Sequence, residues 1–142
     1  MMENVVEQEI SVNQDASFPV AYACYNKDLQ TRMNSTSGGA FTALATYFLK
    51  EKQAVVFGVA FDKNFNVKHI RVNTIDELDR LRGSKYPQSN VCNSYSEAKV
   101  ELDSGKTVFY TGTPCEIAGF KNFLGREYEN LFTMDFVCHG VG

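Results

Sequence analysis

The stretch Thr107–Glu116, TVFYTGTPCE, has the pattern of a buried β-strand that runs directly into an α-helix. The apolar, β-prone run Val108–Tyr110 is typical of an interior strand of a parallel sheet, and Gly112 interrupts it. Thr113 is a good N-cap, and Glu116 completes a capping box, with a proline at the first helical position. The pattern therefore predicts a helix that begins immediately after this strand.

Cys115 lies in the first turn of this predicted helix. Free backbone N–H groups and the positive end of the helix dipole stabilise a thiolate there, and a thiolate is the form that ligates metals or does redox chemistry. Cys138 also follows a predicted strand, residues 131–137. Because ligands of parallel sheets lie beyond the carboxyl ends of the strands, we expect both cysteines at that edge.

Length and composition indicate an ordinary globular protein. The 142 residues are 44% hydrophobic and 22% charged, which suits a single domain with a sizeable core. A net charge of −3 without a basic stripe argues against a nucleic-acid surface. No apolar run is long enough to span a membrane, and the N-terminus lacks a signal-peptide apolar region, so we expect a cytoplasmic protein. Residues 1–17 are predicted to be a flexible acidic arm, and residues 18–142 a single α/β domain.

The remaining periodicities complete the predicted fold. Strands are predicted at Pro19–Asn26, Ala54–Phe61 and Asn66–Asn73, and helices at 38–51, 74–81 and 94–104, with capping boxes opening the last two. The second and third strands form an antiparallel hairpin. From Asn93 the order helix, strand, helix, strand calls for parallel pairing. We therefore predict an α/β fold, a mixed sheet flanked by helices, with parallel strand–helix–strand units in the C-terminal half.

Two segments have the composition of anion sites. Ser37 is a plausible N-cap, and Gly38 and Gly39 would let a phosphate approach bare N–H groups at a helix start. Alternatively, the two glycines only relieve packing against a neighbouring strand. The loop Arg82–Asn90 combines basic, hydroxyl and amide groups. No GxGxxG motif follows the preceding strand, so the ordinary dinucleotide fingerprint is absent.

The cysteines allow several interpretations, and their spacing does not choose among them. Cys115 and Cys138 could ligate an iron–sulfur cluster, although such a cluster usually takes four cysteines. Cys115 could instead be a nucleophile or redox thiol with His139 as its base, or both cysteines and His139 could bind zinc. The alternative is that both are buried structural residues. We expect structural roles for Cys24 and Cys92, and a solvent-facing side chain for His69 on the hairpin.

Four motifs together resemble the coenzyme F-420 hydrogenase/dehydrogenase beta subunit family. They are STSGGAF at 35–41, RGSKYPQS at 82–89, TGTPCEIAGFKNFL at 111–124 and DFVCHGVG at 135–142. The resemblance implies an iron–sulfur flavoprotein oxidoreductase that relays electrons between a 4Fe-4S cluster, FAD and a substrate such as the deazaflavin coenzyme. It also implies a redox partner protein or subunit.

Carried over by residue, the resemblance makes Cys115 and Cys138 candidate cluster ligands. The resemblance also implies a second set of residues that would hold the flavin and its phosphates: Ser37, Gly38, Gly39, Lys85, Gln88, Ser89 and Thr113. The family often has Gln where this chain has Glu116, and it continues beyond the CHG motif with further cysteines. We therefore expect a fragment with an incomplete cluster site that is inactive alone. The competing functions are a non-catalytic domain that binds a protein partner and a thiol enzyme that uses Cys115.

Overall fold

The structure, a computed structural model, describes residues 21–140. Its helices are α1 (Leu29–Met33), α2 (Ala40–Glu51), α3 (Ser94–Asp103) and α4 (Pro114–Leu124), its strands are β1 (Val55–Phe61), β2 (Val67–Val72), β3 (Val108–Gly112) and β4 (Leu131–Asp135), and a 3₁₀ turn spans Leu78–Arg80. The acidic arm expected over residues 1–17 lies outside the described residues.

The strands form one mixed sheet in the order β2-β1-β3-β4. β1 pairs with β2 as an antiparallel hairpin, and β1, β3 and β4 run parallel to one another. This confirms the predicted α/β class, the antiparallel hairpin, the interior position of β3 and the parallel units of the C-terminal half. β3 is buried along its whole length because strands flank it on both sides and helices cover its faces.

Helices cover the two faces of the sheet and form two cores. One core joins α2 and the 3₁₀ turn to the sheet, with Phe48 stacked on Phe109 at a centroid distance of 4.5 Å. The other joins α3 and α4 to the opposite face, where Tyr110 stacks on Phe120 at 4.3 Å. Because adjacent strand residues point to opposite faces, Phe109 and Tyr110 each serve a different core.

The segment before α1 differs from its prediction. Residues 21–26, the described part of the strand predicted at Pro19–Asn26, contain no β-structure. Instead the Asn26 N–H donates to the Gly38 carbonyl at 2.6 Å, and Asp28 then caps α1 by accepting from the Thr31 N–H at 2.6 Å. The described part of this segment therefore bonds to the residues before α2 and does not join the sheet.

Two predicted capping boxes are also wrong, because nearby groups use the capping side chains differently. Asn93 occupies the N-cap position of α3 without a side-chain capping bond, and the Ser94 hydroxyl shares a 2.6 Å hydrogen bond with the hydroxyl of the fully buried Tyr110. Between β2 and α3, Glu77 accepts from the Asn73 N–H and the Thr74 hydroxyl. The helix expected there is reduced to the short 3₁₀ turn.

Candidate functional site

The parallel pairing of β3 and β4 places the two cysteine-bearing segments at one edge of the sheet. Gly112 at the end of β3 is in register with Asp135 at the end of β4. Cys115 and Cys138 follow these ends, and both are exposed, free thiols. The interpretation of both as buried structural residues is therefore wrong.

The capping box at the start of α4 forms as predicted. Thr113 is the N-cap in an extended conformation, and its N–H donates to Oε2 of Glu116 at 2.8 Å. The Thr113 hydroxyl lies 3.1 Å from Sγ of Cys115, within hydrogen-bond distance for sulfur. The thiol of Cys115 thus lies in the first turn of α4 beside a hydroxyl.

Cys138 and His139 belong to the exposed segment after β4. Sγ of Cys138 accepts a hydrogen bond from the Gly140 N–H at 3.4 Å. No hydrogen bond joins His139 to Cys115 within residues 21–140, and no set of three or more His, Cys, Asp or Glu side chains there is placed to hold a metal ion. The described chain therefore brings two thiols to this edge, but not the predicted zinc triad.

His69 is buried, with 5% of its surface exposed, and the prediction that it faces solvent is wrong. Asn90 bridges to the outer edge of β2, where the His69 N–H donates to the Asn90 carbonyl at 2.9 Å. Inside, the imidazole stacks on Tyr110 at a centroid distance of 5.3 Å. Asn90, from later in the chain, therefore covers the outer edge of β2, which the sequence pattern could not show to be covered.

The contacts of His69 define its protonation. Nε2 lies 3.2 Å from the Thr111 carbonyl, which only accepts, so Nε2 carries the hydrogen. Nδ1 is buried and has no hydrogen-bond partner among the described residues. Burial lowers the pKa of His69, while the Glu116 carboxylate and the Thr111 carbonyl act in the opposite direction. The structure thus holds a neutral imidazole close to Glu116.

Glu116 connects several elements at this edge. Its Oε1 accepts from the Ser89 hydroxyl, its Oε2 lies 4.0 Å from Nε2 of His69, and its backbone carbonyl accepts from the Tyr95 hydroxyl at 2.8 Å. The side chain is only 10% exposed. The sequence predicts Glu116 as a capping residue and shows it as a departure from the family pattern. Its other partners carry no signal in the sequence, because they lie far away in the chain.

Packing determines the shape of residues 35–39, the glycine segment before α2. Gly39, in the left-handed conformation at φ 78°, is the N-cap, so the prediction that Ser37 caps the helix is wrong; Ser37 is exposed. A Cβ on Gly38 would lie 2.9 Å from the carbonyl oxygen of Cys24. Gly38 therefore allows residues 24 and 25 to approach closely, which agrees with the alternative that the glycines relieve packing. The neighbouring segment, however, is not a strand. Among residues 21–140, no side chain is hydrogen-bonded as a cap at the start of α2.

The loop Arg82–Asn90 joins the glycine segment to the start of α4. At one end the Ser84 N–H donates to the Thr36 hydroxyl at 2.9 Å, and Nε of Arg82 donates to the Thr42 hydroxyl at 3.2 Å. At the other end Ser89 contacts Glu116. The candidate residues of both segments therefore lie on a connected set of elements.

Lys85 and Gln88 differ within this loop. Nζ of Lys85 donates to the Leu81 carbonyl at 2.9 Å and the Arg82 carbonyl at 2.8 Å. Burial lowers its pKa to about 8. Gln88 is exposed. The ammonium group of Lys85 is thus used to hold the loop, and Gln88 remains accessible to a ligand.

Fold and site together define an α/β domain whose thiols and polar loops gather beyond the carboxyl ends of parallel strands, where such folds bind ligands. A family model described as coenzyme F420 hydrogenase/dehydrogenase, beta subunit N-term, matches residues 21–94, just over half of the chain. The chain therefore belongs to this family. The matched residues include the glycine segment and the loop, whereas Cys115 and Cys138 lie beyond them.

A comparison with solved structures supports the same fold. The chain is similar to one from the xenon-derivatised F420-reducing NiFe hydrogenase complex of Methanosarcina barkeri, with a TM-score of 0.56 and 24% identity. The match covers 67% of this chain and 33% of that chain, so this chain spans about a third of its length. Comparison with curated proteins gives no significant match. In the described part of the chain, no helix has the length and apolar character that a membrane span requires.

Proposed function

We propose that the chain is a domain of an iron–sulfur flavoprotein oxidoreductase that relays electrons between a 4Fe-4S cluster, FAD and a substrate. One observation carries the proposal: two exposed thiols lie at the carboxyl edge of the parallel strands, and the loop Arg82–Asn90 connects this edge to the glycine segment. Membership of the beta subunit family supports the redox class.

In this proposal the flavin and its phosphates are held by the glycine segment, the loop and the N-cap of α4. The residues are Ser37, Gly38, Gly39, Lys85, Gln88, Ser89 and Thr113. The uncapped N–H groups at the start of α2 suit a phosphate, because helix N-termini attract anions. Exposed Ser37 and Gln88 supply side-chain hydrogen bonds. Lys85 contributes through the loop shape that its carbonyl contacts maintain.

Cys115 and Cys138 supply two thiolates for the cluster. A 4Fe-4S cluster is held by four cysteine thiolates as a rule, so the described residues fit half of such a ligand set. When bound, the cluster exchanges single electrons and the flavin exchanges electrons singly or as a hydride. The chain's own part is to hold the Cys115 thiolate at the α4 N-terminus, where N–H groups and the Thr113 hydroxyl stabilise negative charge.

A redox partner subunit and a deazaflavin substrate belong to the same proposal. The matched solved structure is of an F420-reducing hydrogenase complex, which supports a partner protein and a deazaflavin coenzyme as the substrate class. The exposure of Cys138 beyond β4 supports this part of the proposal, because an exposed cluster ligand would be accessible to a partner.

The test is anaerobic purification of the native full-length polypeptide, followed by visible absorbance and assays of iron and flavin. We expect bound iron and flavin in the wild type, and loss of iron with retention of flavin in Cys115→Ser and Cys138→Ser. Cys92→Ser is the matched control, because Cys92 is an exposed thiol that the proposal does not assign to the cluster, and its replacement should leave iron unchanged. A wild-type protein without iron, or equal iron in all variants, contradicts the proposal.

A further inference from the structure

We propose that Glu116 is a positioning residue that holds the loop Arg82–Asn90 and the first turn of α4 in one fixed relative geometry. Groups bound by the loop and groups bound by Cys115 would then be oriented as a unit. The importance of this geometry for electron transfer rests on the proposed function, whereas the mechanical connection itself does not.

The two oxygens of the Glu116 carboxylate serve different segments of the chain. Oε2 accepts from the Thr113 N–H at 2.8 Å, within the first turn of α4. Oε1 accepts from the hydroxyl of Ser89, which is 27 residues earlier in the sequence. The first bond is the ordinary half of a capping box. The second has no role in capping, and it is the observation that carries the proposal.

The surroundings of the carboxylate restrict its motion. Gly112 leaves room for it, because a Cβ there would lie 2.9 Å from Oε2 of Glu116 and 3.4 Å from Nε2 of His69. The Tyr95 hydroxyl also holds the Glu116 backbone carbonyl, which ties the same turn to α3. Hydrogen bonds to a carboxylate are stronger than those between neutral groups, so a nearly buried carboxylate with two donors is a rigid link.

Four variants of the full chain separate positioning from capping. Ser89→Ala removes the link and leaves the cap intact, whereas Glu116→Ala removes both. Glu116→Gln keeps both, since its amide oxygen accepts from Thr113 and its amide N–H₂ donates to the Ser89 oxygen. Ser84→Ala is the matched control, because Ser84 lies in the same loop and uses its backbone N–H in the observed contact with Thr36.

The measurements are amide hydrogen exchange, resolved to Thr113 and to residues 82–90, and the rate at which iodoacetamide labels Cys115 relative to Cys24. We expect Ser89→Ala to speed exchange at the Thr113 amide by about tenfold, because the Glu116 carboxylate that accepts from this amide loses its second partner and is held less firmly. Its Cys115 labelling rate should rise relative to that of Ser84→Ala, because the first turn of α4 is held less firmly. Glu116→Ala should speed amide exchange in the loop, and Glu116→Gln should exchange at the wild-type rates.

Equal Thr113 exchange in Ser89→Ala and Ser84→Ala would overturn the proposal and leave Glu116 as a cap alone. Faster amide exchange at residues 82–90 in Glu116→Gln than in the wild type would also overturn the proposal. If Glu116→Ala does not fold, the Ser89→Ala comparison still decides. None of these measurements requires iron or flavin, so a protein that shows the link but binds neither cofactor would refute only the proposed function.

Discussion

Mild acid should destabilise the folded chain through His69. Burial lowers the pKa of this ring below its ordinary value of 6.5, and the opposing effects of Glu116 and the Thr111 carbonyl are smaller. In the unfolded chain the ring regains its ordinary pKa, so the unfolded state binds the proton more readily. The contribution of His69 to stability is therefore fully present above about pH 6.5 and decreases as the pH falls toward the pKa of the folded ring.

The upper limit of this effect follows from the contacts of the ring. A second proton would go to Nδ1, which is buried and has no acceptor among the described residues, so protonation in the folded state leaves an unsatisfied donor. If the folded ring stays neutral, a group with an ordinary pKa near 6.5 lowers the free energy of unfolding by about 1.4 kcal/mol between pH 7.5 and 5.5. Partial protonation in the folded state makes the loss smaller.

The assay is urea unfolding of the wild type and of His69→Gln over this pH range. The glutamine amide can donate to the Thr111 carbonyl but does not titrate, so the difference between the two proteins isolates the imidazole. We expect the wild type to lose up to about 1.4 kcal/mol more than the variant on acidification. Parallel pH profiles, or a relative gain in wild-type stability toward acid, would refute this account. A relative gain would mean that Glu116 holds a charged ring.

Two further predictions concern packing. Phe120→Ala should lower the free energy of unfolding by about 3–5 kcal/mol, because Phe120 is fully buried and stacks on Tyr110. The measurement is urea unfolding, with Phe123→Ala as the control, because Phe123 lies on the same helix and is 48% exposed. An equal loss of stability in the two variants would contradict the prediction. Gly38→Ala should lower the melting temperature, since the new Cβ would lie 2.9 Å from the Cys24 carbonyl oxygen. Thermal unfolding followed by circular dichroism tests this, with Ser37→Ala as the control. Equal melting temperatures in the two variants would show that the segment Cys24–Asn26 is not packed against Gly38.

The elements that the sequence predicts well are those set by local chemistry. β1 and β3 are continuous apolar runs, and such runs are buried wherever the sheet places them. The start of α4 was predictable because Thr113, Pro114 and Glu116 all act within one turn. The same rule failed at Ser94, where the hydroxyl of Tyr110, on a different element, takes the serine as its partner. A capping motif is reliable only when no buried polar group competes for its side chain.

The candidate site was less predictable because long-range contacts decide the environment of its residues. The alternation along β2 placed His69 on a face, but it could not show that Asn90 covers the strand edge or that Tyr110 stacks on the ring. Similarly, the charge of Lys85 suggested an anion site, whereas the structure directs its ammonium group to backbone carbonyls. Charge and polarity in a sequence identify groups that need partners, but only the fold determines which partners they find.

The loop Arg82–Asn90 gives these separate residues a common role. Its contacts reach 48 residues back to Thr36 and 27 residues forward to Glu116, so the loop connects the two helix N-termini that carry the proposed phosphate and thiolate groups. Helix N-termini favour negative charge at both places. A ligand that orders the loop would therefore act on both ends at once, because each end is tied by a hydrogen bond to a helix start. The order of the loop, more than the identity of any single residue, is the property on which both proposed binding regions depend.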